Sequence, residues 1–282
     1  MRPEIIAILP EYRLSEELEA KAREDFFASV EPVAANEVAQ YQKAGYPIEV
    51  ANGVAVMRIR GAIWPFMASV YGGMIRAIRA DKSVTASVVA MDSPGGAVGA
   101  MFDIGDERQA LSSEKPTVTH VSGMAASAGY YLAAKTNKVS ASKYGQVGSL
   151  GVYAVLYDES EAFEKQGVKP VLIRNEGATV KGADAPGLPV TKDIKEETQK
   201  RVDNYFGLFA EGIAQGRNMP IPSIQKLATG AMWPAGEAVG LGLVDSIGTL
   251  QDAMMAAKSS YDRRKETSSL KTRALKARAQ NI

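Results

Sequence analysis

The sequence predicts an α/β fold with a parallel-rich sheet and flanking helices. Three observations carry this expectation. Strand-like and helix-like segments alternate between residues 53 and 174, the pattern of parallel βαβ units. ASVVAMD (86–92) is a continuous apolar run, which suits a strand covered on both faces. Of 282 residues, 46% are hydrophobic and 23% charged, so the chain can bury a sizeable core without staples.

The elements follow in order. Ser15 is a candidate N-cap for EELEAKAREDFFASV, a segment rich in helix formers. A second short helix is expected at 35–44, ended by Gly45-Tyr46-Pro47. GVAVMRIRG (53–61) reads as a strand with Arg58 and Arg60 on one face, and 71–83 as a helix. The strand at 86–92 breaks at Ser93-Pro94-Gly95-Gly96, and helical periodicity resumes at 98–113. TVTHVSG (117–123) is the next strand and AASAGYYLAAK (125–135) the next helix. Strands are expected at KVSAS (138–142), GSLGVYAVL (148–156) and KPVLIR (169–174), with a helix at 158–166. A glycine- and proline-bearing loop fills 175–190, a long helix 191–216, and short helices 223–228 and 234–240; LGLVDSIGTL (241–250) closes the core. Right-handed crossovers are expected.

Composition narrows the chemistry. With no cysteine, disulfides, thiolate metal sites and a cysteine nucleophile are excluded. His120 is the sole histidine, so no histidine cluster can hold a metal; neither metal nor cofactor is expected. Net charge is +1, and it is uneven: residues 258–282 carry eight Lys or Arg against two acids, leaving −5 on the rest. The balance makes no case for nucleic-acid binding. No apolar run approaches the roughly 20 residues of a membrane span. The N-terminal IIAIL stretch lacks the flanks of a signal peptide. The expected location is therefore cytoplasmic.

Two segments stand out chemically. Asp92-Ser93-Pro94-Gly95-Gly96 lies where a buried strand turns towards a helix. Ligands of α/β sheets bind outside the carboxyl ends of strands, and glycines there let backbone N–H groups approach an oxyanion. A tight βα turn with no ligand is the competing reading. In Gly123-Met124-Ala125-Ala126-Ser127-Ala128-Gly129, Ser127 sits among small residues between a strand and a helix. A nucleophile beside the N–H of Ala128 is the arrangement acyl transfer needs; close helix packing is the alternative.

A serine nucleophile needs a base. His120 lies seven residues upstream within a strand, up to about 23 Å away if the chain stays extended, and reads better as a satisfied sheet residue. Lysine is the other option. Holding a solvated lysine neutral at pH 7 costs about 4.6 kcal/mol, so burial must supply the shift. Lys181 differs from most lysines here in its company, Ala178, Thr179, Val180, Gly182 and Ala183. An ordinary exposed loop lysine is the other reading.

The order of these motifs resembles the S49 family of serine peptidases, the signal peptide peptidase A group. D-S-P-G-G, A-A-S-A-G-Y-Y, G-S-L-G-V (148–152) and A-M-W-P-A-G-E-A-V-G-L-G-L-V-D (231–245) stand in family order across roughly residues 53–255. The resemblance implies a ClpP/crotonase-like fold and a Ser/Lys dyad. Ser127 matches the family's nucleophile, and Lys181, 54 residues on, falls where the family places its base. Gly95 or Gly96, with Ala128, match the backbone oxyanion donors, and Ser149 matches a serine that orients the lysine. The usual Ser-Gly-Gly reads Ser127-Ala128-Gly129 here, and the lysine loop N-E-G-A-T-V-K-G departs from the commoner wording.

The extra N-terminal region and basic tail resemble the capsid-assembly, or head-maturation, proteases of tailed phages. That resemblance implies an endopeptidase acting on capsid, portal or scaffold proteins in the host cytoplasm or prohead, and a homo-oligomer whose dyad a neighbouring subunit could complete. The expected organisation is an N-terminal helical extension (1–50), a peptidase domain (51–257) and a basic flexible tail (258–282). The alternatives are a non-enzymatic ring-forming assembly scaffold, a cytoplasmic peptidase degrading signal peptides, and a crotonase-type acyl-CoA enzyme.

Overall fold

The computed structural model describes residues 5–7, 16–28 and 38–279. The candidate cap Ser15 and the start of the helix expected at 35–44 lie outside those residues. The chain opens with β1 (Ile5–Ala7), α1 (Glu16–Ala28) and α2 (Val38–Lys43). There follow β2 (Ile48–Ala51), β3 (Val54–Arg60), α3 (Met67–Ala80), β4 (Ala86–Ser93), β5 (Gly96–Ala97), α4 (Val98–Glu114), β6 (Thr117–Ala126) and α5 (Ala128–Ala134). The remainder comprises β7 (Lys138–Ala141), β8 (Gln146–Gly148), β9 (Tyr153–Ala154), α6 (Ser160–Lys165), α7 (Lys192–Arg217), α8 (Ile221–Leu227), β10 (Met232–Pro234), α9 (Ala235–Gly240), β11 (Ser246–Ile247) and α10 (Leu250–Ala279).

The main sheet runs β10-β8-β6-β4-β3-β2, with β7 also beside β6 and β11 beside β7. β3, β4, β6, β7 and β8 are joined by parallel pairings; β2 and β10 are antiparallel at the two ends. This is the parallel-rich α/β sheet that the alternating segments predict.

Period-two alternation in the central strands divides the core. Ala55, Met57, Ile59, Val89 and Met91 face one side, packed with Tyr71, Met74 and Ile78 of α3 and Met101 and Ile104 of α4. Val54, Val56, Ala86, Val88 and Val118 face the other, under Ala253 and Ala257 of α10. The sheet is therefore covered on both faces, which is why 86–92 is apolar throughout. Arg58 and Arg60 share the α10 side by alternation; Arg58 is half-buried against Glu49 (3.1 Å) and Arg60 is exposed.

Three expectations change. KPVLIR (169–174) forms no strand: it is exposed, with Val171 at 83% and Ile173 at 89% accessibility. Its pattern is strand-like, yet it pairs with no sheet edge among the described residues. GSLGVYAVL breaks into the end of β8, a turn through Ser149 at positive φ, and the two-residue β9. The boundary expected at 257/258 falls inside α10, which continues as helix to Ala279, so the basic segment is helical where it was expected to be flexible. At the other end, β2 pairs with β3, and Phe26 of α1 packs against Tyr46 and Phe66. The N-terminal region is thus joined to the core.

Candidate active site

Ser127 sits between the end of β6 and the first turn of α5, with φ 51° and ψ −119°. A non-glycine residue at positive φ is strained by about 1–3 kcal/mol and persists only where its surroundings hold it. Two backbone bonds do so here. The Ser127 N–H donates to Gly148 O (2.8 Å), and its carbonyl accepts from Tyr131 N–H (2.9 Å). The residue is 1% exposed, and its Oγ has no hydrogen-bond partner among the described residues. Burying a hydroxyl unpartnered is unfavourable by about 1–3 kcal/mol, so this geometry is costly for packing alone.

The helix behind the serine is anchored by its two tyrosines. Tyr130 is fully buried, and its hydroxyl donates to Leu243 O (2.8 Å). Tyr131 stacks on Phe209 with centroids 5.7 Å apart. It fits because Gly105 of α4 and Gly212 of α7 have no side chain: an added Cβ would lie 2.6 Å and 2.4 Å from its ring. The sequence showed Tyr-Tyr only as part of a motif; the distant glycines that admit the ring carry no local signal.

The Ser93–Gly96 turn lies beside it. β4 and β6 pair in register to Met91↔Val121, then resume at Ser93↔Ala125, so β6 bulges across 122–124. The Asp92 carboxylate accepts from Met124 N–H (3.0 Å) and fixes that bulge. A Cβ at Gly123 would approach Asp92 Oδ1 to 2.4 Å, so a larger residue there would push the carboxylate aside and disturb that bond. Ser93 Oγ donates to Gly61 O (2.7 Å) and accepts from Gly95 N–H (3.2 Å). Gly95 has φ 111°, and Gly96 is clamped: Ile63 N–H donates to Gly95 O, and Ala97 N–H to Ile63 O, both at 2.7 Å. Sequence reasoning gave Asp92, Ser93 and Ile63 no role, although a serine two residues before a glycine is a recognisable turn signal.

A third loop completes the surround. Gly148, whose carbonyl holds Ser127, has φ 140°; a Cβ there would come within 2.3 Å of Ala231 O. Half-buried Ser149 follows at φ 49° and donates its N–H to Ala231 O (2.7 Å). The 231–245 segment is therefore a brace. Asp245 accepts from Val139 N–H (2.6 Å) and pairs in a two-pronged contact with Arg217, both prongs 2.8 Å. Burial pushes the Asp245 carboxyl up, but Arg217, the Val139 N–H and Lys138 together outweigh it and hold the group below its ordinary value.

The structure brings Ser127, Gly95, Gly96, Ala128 and Ser149 to one region, and Lys181 makes no hydrogen bond to Ser127 Oγ. Ala128 opens α5, and the first bond within that helix is the one to Ser127 O, so the Ala128 N–H has no intrahelical acceptor. Lys181 is exposed on a turn whose Gly182 lies against Leu172; it does not reach the unpartnered Ser127 Oγ. His120 is buried in β6, its Nδ1 3.0 Å from Ser140 Oγ. Burial lowers its pKa, and Asp252 of α10 pulls the other way. It is the satisfied sheet histidine that the sequence favoured. Among the described residues, no group of three or more acidic or histidine side chains could hold a metal, and no helix is long and apolar enough to cross a membrane.

The chain is similar to known proteins over the region just described. It is 31% identical to the chloroplastic serine protease SPPA of Arabidopsis thaliana over 65% of this chain and 27% of that protein. Capsid assembly protease C of Escherichia phage lambda is 28% identical over 77% of this chain and 51% of its own length. The head-tail preconnector protein GP5 of Enterobacteria phage P21 is 25% identical over 73% and 42%. The chain thus spans about half or less of the length of each of these three relatives. The Clp protease family model matches residues 60–143, which include Ser127 and the Ser93–Gly96 turn but not the Gly148–Ser149 loop. Residues 109–263, from the middle of α4 through the strained serine and the bracing segment into α10, match the family model of peptidase S49, and the chain belongs to that family.

Proposed function

We propose that this chain is a serine endopeptidase in which Ser127 is the nucleophile and Lys181 of a neighbouring copy is the base. The observation that carries the reading is the Ser127 hydroxyl itself, held at positive φ, buried, and free of any hydrogen-bond partner among the described residues. The chemistry runs as acyl transfer. Neutral Lys181 Nζ takes the Ser127 Oγ proton as Oγ bonds to the substrate carbonyl carbon. The N–H groups of Ala128 and Gly96 hold the oxyanion; Gly95 joins them by giving up its 3.2 Å bond to Ser93 Oγ. Protonated Lys181 hands its proton to the leaving amine as the C–N bond breaks, and water then hydrolyses the ester. Ser149, beside the Ser127–Gly148 contact, orients the lysine.

A base lysine must be desolvated. Lys181 is exposed within one chain, so the surface that encloses it has to come from outside. The 168–173 segment next to its loop offers exposed Val168, Val171, Leu172 and Ile173, an apolar run suited to a subunit contact. The likeness to two phage head proteins supports capsid, portal or scaffold polypeptides as substrates, met in the host cytoplasm or prohead.

Co-expression of Ser127→Ala and Lys181→Ala chains tests this arrangement. Each variant alone is inactive. Random mixing in a ring with head-to-tail contacts restores about one quarter of the sites if serine and lysine come from adjacent copies. No recovery places the base in the same chain or elsewhere, and wild-type-like cleavage by Ser127→Ala overturns the serine assignment.

A further inference from the structure

β1 does not join the main sheet. It is the middle strand of a separate sheet ordered β5-β1-β9, antiparallel to both neighbours. Ile6 pairs with Ala97 on one side and Tyr153 on the other; Ala7 pairs with Gly96, and Ile5 with Ala154. The two outer strands are only two residues long and do not pair with each other. They are held in one sheet by the chain laid between them.

Both outer strands grow from the loops that frame Ser127. β5 starts at Gly96, in the turn proposed to hold the oxyanion. β9 lies five residues beyond Gly148, whose carbonyl holds the Ser127 backbone. A strand running from Ile5 to Ala7 therefore advances along the slot towards the Gly95–Gly96 turn. Open strand edges bind extended peptides through main-chain hydrogen bonds, with little demand on side-chain identity. A slot with two such edges accepts one extended backbone at a time. In this chain it is filled by an apolar segment of the chain itself.

We propose that the slot between Gly96–Ala97 and Tyr153–Ala154 is the substrate-backbone site and that Ile5–Ala7 is its resident ligand, which must leave before a polypeptide can be cut. The slot's role in cleavage rests on the Ser127 reading; its occupation by β1 does not. Tethering gives the segment an effective concentration of order millimolar, enough to compete with peptide substrates present at lower levels. A segment seated nine-tenths of the time leaves about one-tenth of the protein competent and lowers apparent kcat/KM about tenfold.

The test uses the full-length chain with Ile6→Pro, which removes the N–H of the one residue paired on both sides. Ala7→Pro is the second variant, and unchanged circular dichroism confirms the fold. Two readouts keep the failures apart. In the Ser127→Ala background, a fluorescent peptide of residues 2–10 should bind the proline variants at least about tenfold more tightly than the chain without the proline. With Ser127 present, kcat/KM for an extended apolar peptide should rise by a similar factor, and the 2–10 peptide should reverse that rise competitively. Equal binding of the peptide to both backgrounds overturns the occupancy. Tighter binding by the proline variants with no cleavage by any form upholds the occupancy and instead refutes the serine-peptidase reading.

Discussion

Gly96→Ala places a methyl group where the backbone of Ile63 already lies. The added Cβ would stand 2.1 Å from Ile63 O, 2.5 Å from its N and 2.6 Å from its C. None of these atoms belongs to a flexible side chain, so the turn must move as a unit. Movement breaks the two 2.7 Å bonds that tie Gly95 and Ala97 to Ile63. Two lost hydrogen bonds and the strain of overpacking together cost about 2–5 kcal/mol. For a chain of this size that is a fall in Tm of about 4–20 °C. The same displacement withdraws the proposed oxyanion donor, and losing one such donor lowers kcat by about 10²–10³-fold. Thermal unfolding and peptide hydrolysis read the two effects separately. Gly99→Ala is the control: it lies near the start of α4 with open space around it, and the loss of chain entropy should stabilise by about 0.4–1 kcal/mol. A Gly96→Ala protein that melts and hydrolyses like wild type would refute both the clamp and the donor assignment.

Two further outcomes follow from the packing around the site. His120 is held neutral by burial, so its folded pKa lies below its unfolded value. Below about pH 6.5 the unfolded chain therefore binds the extra proton, and stability from this group falls as pH drops. Urea unfolding at a series of pH values should show that slope in wild type and a shallower one in His120→Asn; identical slopes would remove His120 as its source. Tyr130→Phe leaves Leu243 O without its 2.8 Å donor inside the core, at a cost of about 1–3 kcal/mol. Calorimetry should record the lower Tm, and an unchanged Tm would mean that α5 is anchored by packing alone.

The sequence made the sheet legible because its signals are local. Alternation in GVAVMRIRG and the unbroken apolar run at 86–92 depend on neighbours within a few residues, and both became central strands. Ser127 was legible for the same reason: small residues flank it and a strand leads into it. What stayed hidden depends on contacts distant in the chain. KPVLIR carries strand character, but a strand needs an edge to pair with, and it pairs with none among the described residues. The glycines that admit Tyr131 are 26 and 81 residues away from it, with nothing local to mark them. β1 is only three residues long, and its pairing with β5 and β9 spans about 90 and 150 residues, beyond any periodicity argument. Lys181 was singled out by its spacing and its small neighbours, and neither signal says what its side chain meets in the folded protein.

The account rests on an activated hydroxyl at Ser127, and covalent capture tests that directly. Wild-type protein, Ser127→Ala and Lys181→Ala are treated with a fluorophosphonate probe, and the modified peptide is located by mass spectrometry. The account predicts a single adduct on Ser127 in the wild type, none in Ser127→Ala, and a strongly slowed reaction in Lys181→Ala. An adduct on another serine, or no adduct on an assembled oligomer, would contradict it.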